Sequence, residues 1–286
     1  MREKRSDFDV LRHRPLRPVV VLFTAAALVA HSGCAAEPTR VVRIEQLSAD
    51  GLMRGFMARI NLADPRLVVH MTGPLLGDDH PASAEARLTT TDQWALDQHT
   101  TLALNGNFFG NLPDTSGTPR FAEIIGLSIS DGVMVSPPRE FRGVFDPALV
   151  IRNDQRAEAI LAGPTELFHA SEAVAGVGAS ESDPSHVSLL VEGGINRGAH
   201  ARVEPEKRHP RTAAGVSRDG HTLWLVAIDG GGSTAFVYEP SSGPSLINRP
   251  RDGAFRPVAN HLGFSLRGVP AAVPVSTASA PVFERE

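Results

Sequence analysis

HPRTAAGVSRDGHTLWLVAIDGGGSTAFV, residues 209–237, is the stretch whose reading decides the fold. It opens on a polar, basic cluster of His209, Pro210, Arg211 and Thr212. An apolar run follows, broken once by a turn at Asp219-Gly220, and ends at Asp229 beside Gly230, Gly231, Gly232, Ser233 and Thr234. A second apolar segment, residues 235–238, leaves the loop. Strand, glycine loop and strand bring backbone N–H groups and one carboxylate to a common point. Successive glycine N–H groups form a concave nest for an anion, and the Arg211 guanidinium forks onto a phosphate or carboxylate.

Upstream, LALNGNFFG (102–110) has the same grammar. A short apolar strand runs into Asn105-Gly106-Asn107, a turn whose residues tolerate positive φ and carry amide donors and acceptors. The loop 111–120, rich in Gly, Pro, Ser and Asp, has the composition of a surface loop on a scaffold. One strand is expected over 124–129, an Asp131-Gly132 hairpin turn after it and a return over 133–135. Glu123 lies just before that strand, in position to face the site. Further strands are expected over 41–47, 55–62, 67–71 and 144–151, with another running into Glu192-Gly193-Gly194, while 158–178 is weakly patterned and rich in Ala, Gly and Ser. A helix is expected over 93–98, capped by the Thr89–Asp92 hydroxyls and carboxylate.

The 286 residues accommodate one large domain or two small ones. Short strands dominate, so the expected class is α+β: a single domain on a mixed, largely antiparallel sheet with few helices. A net charge of −4 argues against a general nucleic-acid binder, whose footprint is a basic excess. The N-terminus reads as a secretory signal over 1–36, with a basic flank, an uncharged apolar run over 19–30 and small residues after it. Cys34, the only cysteine, sits after Ser-Gly as in a bacterial lipobox and is the lipidation candidate, the competing expectation being ordinary cleavage after Ala36, which discards it. His31 stands where that pattern usually has Leu. The expected domain spans 37–268, and 269–286 is a loose tail rich in Val, Ala, Pro and Ser.

Other chemistries lack their signatures. There is no P-loop, no G-x-G-x-x-G opening a helix, no H-E-x-x-H and no G-x-S-x-G. No cofactor is expected, and no ligand spacing supports a divalent metal. What remains is a set of loops at strand ends. Arg211 and the glycines suit an anion, while Asp229 and Glu123 are carboxylates of the type that cleaves an acetal.

Four motifs in order, ALNGNFF (103–109), HPRTAAGVSRDGHTLWLVAIDG (209–230), DGGGST (229–234) and NRPRDGAFRPVANHLGF (248–264), resemble the phosphodiester glycosidase family. The resemblance implies an exported hydrolase acting on a sugar linked through phosphate, located in the periplasm, on the envelope or outside the cell. It implies substrate binding by Asn105, Gly106, Arg211, Thr212, Gly230, Gly231, Gly232 and Ser233. Asp229 and His209 carry the catalytic expectation, with Glu123 added on position alone. Phe108 and Phe109 match as walls and core. One departure stands out: family members separate a Val-Asp-Gly strand end from a later Asp-Gly-Gly-Gly-Ser, whereas here the two coincide at Asp229-Gly230. The chain therefore reads as an internal deletion of a helix and a strand, about three dozen residues by usual element lengths. The competing expectation is a non-catalytic envelope protein that binds anionic glycans with the same surface.

Overall fold

The computed structural model describes residues 41–49, 53–141, 143–167, 169–180, 187–202, 207, 211–228, 235–238, 245–246 and 256–268. All of them lie in the compact unit Thr39–Glu286. In chain order the strands are β1 (Val42–Ala49), β2 (Met53–Asn61), β3 (Leu67–Met71), β4 (Ala86–Arg87), β5 (Leu102–Asn105), β6 (Phe109–Pro113) and β7 (Pro119–Ile124). Then come β8 (Ser128–Ser130), β9 (Val133–Ser136), β10 (Glu140–Phe141), β11 (Val144–Phe145), β12 (Pro147–Arg152), β13 (Ala157–Leu161) and β14 (Ala170–Ala175). The last are β15 (Val191–Glu192), β16 (Ile195–Asn196), β17 (Arg211–Val216), β18 (Thr222–Ile228), β19 (Phe236–Tyr238), β20 (Ser245–Leu246) and β21 (His261–Leu266). The one α-helix among the described residues is α1 (Thr91–Asp97).

Three larger sheets carry the fold, with strand orders β1-β2-β18-β17, β13-β12-β14-β8-β9 and β20-β19-β5-β21-β3. A three-stranded sheet, β4-β7-β6, adjoins them. Every ladder among the described strands is antiparallel. The protein is thus β-rich and antiparallel, as the short alternating runs imply.

Period-two burial explains the packing. Along β18 the pattern alternates, with Leu223, Leu225 and Ala227 turned inward. They join Ala58 and Ile60 of β2, Leu102 and Leu104 of β5, Leu262 and Phe264 of β21, Leu149 and Ile151 of β12, and Phe236 in one core. Phe236 and Phe264 are both fully buried, each worth about 1.5–3 kcal/mol relative to exposure.

Three local expectations are corrected. The run 124–129 is not one strand: β7 ends at Ile124 and β8 starts at Ser128. Gly126 between them has φ +85, the left-handed region glycine adopts at no steric cost. The run 144–151 divides into β11 and β12. Helix α1 begins at Thr91, and its N-cap Thr90 makes no side-chain capping bond. The helix is held instead by burial of Trp94 and Ala95 against Ala103 and Val237.

Candidate functional site

Strand β5 is the central member of its sheet, and its last residue, Asn105, pairs in register with His261 of β21. The Asn105 side-chain oxygen accepts the backbone N–H of Ala235 at 3.1 Å. Ala235 is the residue that follows the Gly230–Thr234 run in sequence, so this bond ties the first glycine motif to the exit of the second.

Gly106 comes next. Its N–H donates to the Asn260 carbonyl at 2.7 Å. A Cβ here would fall on the Asn260 side-chain oxygen and press on Val174 Cγ2 at 3.2 Å. Only glycine fits. Asn260 itself is fully buried and donates its amide to Ser128 Oγ at 2.8 Å. Asn107 is also buried, and its amide donates to the carbonyls of Ile125 (3.2 Å), Gly126 (3.4 Å) and Leu127 (3.0 Å). Two polar groups of the Asn-Gly-Asn turn are therefore committed to backbone, the Asn105 oxygen holding Ala235 and the Asn107 amide N–H clamping the 125–127 bend, while the buried Asn107 oxygen has no partner among the described residues.

His261 forms the buried side of this turn. It is fully buried and stacked on Trp94, with ring centroids 4.9 Å apart and planes 13° from parallel. The Thr72 hydroxyl accepts the His261 backbone N–H at 3.0 Å and lies 3.1 Å from Nδ1. Thr72 Oγ1 and Nδ1 thus share one hydrogen bond, whose donor depends on the ring tautomer. Burial pushes the His261 pKa down to about 3, with the Thr89 backbone carbonyl opposing the shift. This histidine is neutral and structural, and carries no proton traffic near neutral pH. Glu172 is a second buried titrating group, pushed up to about 8 by burial, with the Asp131 backbone N–H bonded to it at 3.2 Å.

Arg211 opens β17 and pairs with Ile228, and Thr212 pairs with Ala227. The Arg211 partner is thus one residue before Asp229 in sequence. From Ile228 the chain passes to Ala235, and so from the four-stranded to the five-stranded sheet, in seven residues, at most about 25 Å of reach. Thr212 is exposed. Glu123 is exposed on β7, in register with Gly110, on a different sheet from both Asn105 and Arg211. Asp229, His209, Gly230, Gly231, Gly232, Ser233 and Cys34 lie outside the described residues, as do the signal segment and the tail. Among the described residues no group of three or more His, Cys, Asp or Glu is placed to hold a metal, and no helix is long and apolar enough to cross a membrane.

Sequence reasoning left out Asn107, Trp94, Asn260 and His261 as a unit. The available signal was the polar pair Asn260-His261 inside the otherwise apolar VANHLGF run, since buried polar side chains need partners.

No curated protein matches this chain. Among solved structures, a hypothetical protein from Synechocystis aligns with TM-score 0.46 and 11% identity over 78% of this chain. This chain spans 61% of the length of that protein. A candidate exported protein from Burkholderia pseudomallei K96243 aligns with TM-score 0.44 and 14% identity, covering 74% of each chain. The match that names a family runs from Gln98, the C-cap of α1, to Gly230, and takes in Asn105-Gly106, Glu123, Arg211-Thr212 and Asp229-Gly230. Over residues 98–230 the chain matches the family model described as phosphodiester glycosidase, which bears out the resemblance for the two motifs inside it, ALNGNFF and HPRTAAGVSRDGHTLWLVAIDG.

Proposed function

We propose that this chain is an exported hydrolase that cleaves the glycosidic bond of a sugar linked through a phosphodiester. The observation that carries the reading is the family match over residues 98–230, which contains the Asn-Gly-Asn turn and the His-Pro-Arg-Thr motif in one segment. In this reading Arg211, Thr212 and the glycines 230–232 with Ser233 hold the phosphate, and Asp229 with His209 handles proton transfer. Asn105 and Gly106 bound the site, and Glu123 supplies a carboxylate on the sugar side. The domain runs over 37–268 in a single α+β unit, behind a signal segment that is cleaved either after Ala36 or, in the lipoprotein form, before Cys34, which then carries the lipid. The product of that segment is a periplasmic, envelope-anchored or extracellular protein.

The supporting experiment is a turnover screen of the mature protein against α- and β-linked sugar phosphodiesters, with and without divalent metal. Asp229→Asn should abolish hydrolysis and leave thermal unfolding nearly unchanged. Turnover that survives this substitution sinks the assignment of Asp229. A second reading is favoured by one observation: the family match stops at Gly230, where the sequence departs from the family pattern. It makes the chain a non-catalytic binder of anionic glycans, and predicts binding without turnover that is lost in Arg211→Ala.

A further inference from the structure

The three-stranded sheet β4-β7-β6 has an outer face whose side chains are not alike. Phe109 and Ile124 pair in register and turn inward, against Ala86, Ala122, Ala259, Leu88 and Val135. The pairs on either side turn outward. On one side, the Ile125 N–H donates to the Phe108 carbonyl at 2.8 Å and extends the ladder by one pair. On the other, Gly110 faces Glu123. Phe108 is 59% exposed, Ile125 39%, and Glu123 is exposed too. A Cβ on Gly110 would meet nothing within 4 Å. The space above Gly110 is therefore an open shelf, edged by an aromatic ring, an aliphatic side chain and a carboxylate, with diagonal neighbours about 7–8 Å apart.

The bareness of Phe108 is local to this end of the face. Phe121, two residues before Glu123 on β7, is 3% exposed: the Arg87 guanidinium lies 4.8 Å from its ring centroid and His80 packs at 6.1 Å. Among the described residues Phe108 is the exposed aromatic. Leaving such a ring in water forgoes about 1.5–3 kcal/mol. Two features keep it there. Phe109 already fills the inward position, and the Asn107 clamp on the 125–127 carbonyls fixes the strand end that carries Ile125.

We propose that this shelf is a sugar-binding platform. A pyranose has an apolar face of C–H groups and a rim of hydroxyl donors. Its apolar face lies on Phe108 and Ile125 above the empty Gly110 position, and Glu123 accepts hydrogen bonds from the rim. The choice of a sugar as occupant rests on the hydrolase reading, and the placement rests on the shelf itself. Phe108 and Gly110 are then specificity-determining positions for the sugar half of the substrate.

The test uses the mature protein and a panel of methyl glucopyranosides and galactopyranosides of both anomers, with binding read by saturation-transfer NMR and titration. Phe108→Ala should weaken binding at least about tenfold and Phe108→Trp should retain it. Gly110→Val should abolish binding with thermal unfolding unchanged, because no atom stands where its side chain goes. Glu123→Gln should weaken binding severalfold. A wild-type protein that binds no sugar of the panel overturns the proposal, as does wild-type affinity in both Phe108→Ala and Gly110→Val. Turnover of a sugar phosphodiester, measured in parallel, separates the two readings. Turnover with KM unmoved by Phe108→Ala and Gly110→Val removes the shelf and leaves the hydrolase. Sugar binding lost in those variants, with no turnover in the wild type, supports the shelf and removes the hydrolase.

Discussion

The side-chain oxygen of Asn260 occupies the place that a Cβ on Gly106 would take. The two residues are also joined through backbone, Gly106 N–H to Asn260 carbonyl at 2.7 Å. Gly106→Ala must therefore push away a buried amide that is itself fixed to Ser128 Oγ. Overpacking of this kind costs about 1–3 kcal/mol. Urea denaturation should show a lower midpoint with an unchanged slope. An unchanged midpoint would mean that Asn260 moves without cost, and that the glycine is there for another reason.

The Asn105–Ala235 bond makes a second prediction. Ala235 is buried, and removing its acceptor leaves an N–H without a partner, at a cost of about 1–3 kcal/mol. Asn105→Ala should speed hydrogen exchange at the Ala235 amide, while Asn105→Asp keeps an acceptor at the same place and should keep the protection. Equal exchange in the wild type and Asn105→Ala would show that the side chain does not hold this strand.

The β-rich, antiparallel character was readable from short apolar runs between turn residues: β2, β3, β5, β18 and β19 fall on stretches that sequence alone marks out, whereas β13 and β14 lie in a stretch without a clear pattern. The division of 124–129 was not, because Ile-Ile-Gly-Leu-Ser-Ile is as apolar as a buried strand, and the bend at Gly126 is held by the clamp of Asn107 on three carbonyls. That clamp spans 18 to 20 residues of sequence, a separation that no local pattern reports. In the same way the Asn-Gly-Asn motif was legible as a turn with amides, but the partners of those amides were not. Asn105 reaches across 130 positions to Ala235. The motifs marked where polar groups gather, and the register of β5 with β21 decided which of them face backbone.

Two buried titrating groups set opposite pH limbs. Glu172 titrates at 4.5 in the unfolded chain and at about 8 in the fold. Its contribution to stability is fully present below pH 4.5 and is lost as pH rises towards 8. His261 titrates at 6.5 unfolded and at about 3 folded. Its contribution is present above pH 6.5 and is lost as pH falls towards 3. Each slope is at most about 1.4 kcal/mol per pH unit. Between pH 4.5 and 6.5 the two oppose each other. Stability should be flattest in that window, falling on the acid side through His261 and on the alkaline side through Glu172. Glu172→Gln should remove the alkaline fall between pH 6.5 and 8, seen as a thermal midpoint that no longer drops there. A wild-type midpoint already flat from pH 6.5 to 8 would show that Glu172 does not hold its proton.

The Trp94 stack on His261 depends on one close approach. A Cβ on Gly263 would lie 2.6 Å from Trp94 Cζ3 and 2.7 Å from Thr100 Cγ2. The bare Gly263 lets helix α1 lie against β21 so that Trp94 covers the His261 ring. Gly263→Ala should therefore lift Trp94, at a cost of about 1–3 kcal/mol, and let water reach His261. Its pKa should rise from about 3 towards 6.5, and the acid limb between those values should flatten as the proton uptake of the folded and unfolded chains converges. The check is NMR titration of the His261 ring in the wild type and in Gly263→Ala, alongside thermal unfolding between pH 3 and 6.5. A destabilised variant in which the ring still titrates near 3 would show that the surrounding strands, and not Trp94, keep water out.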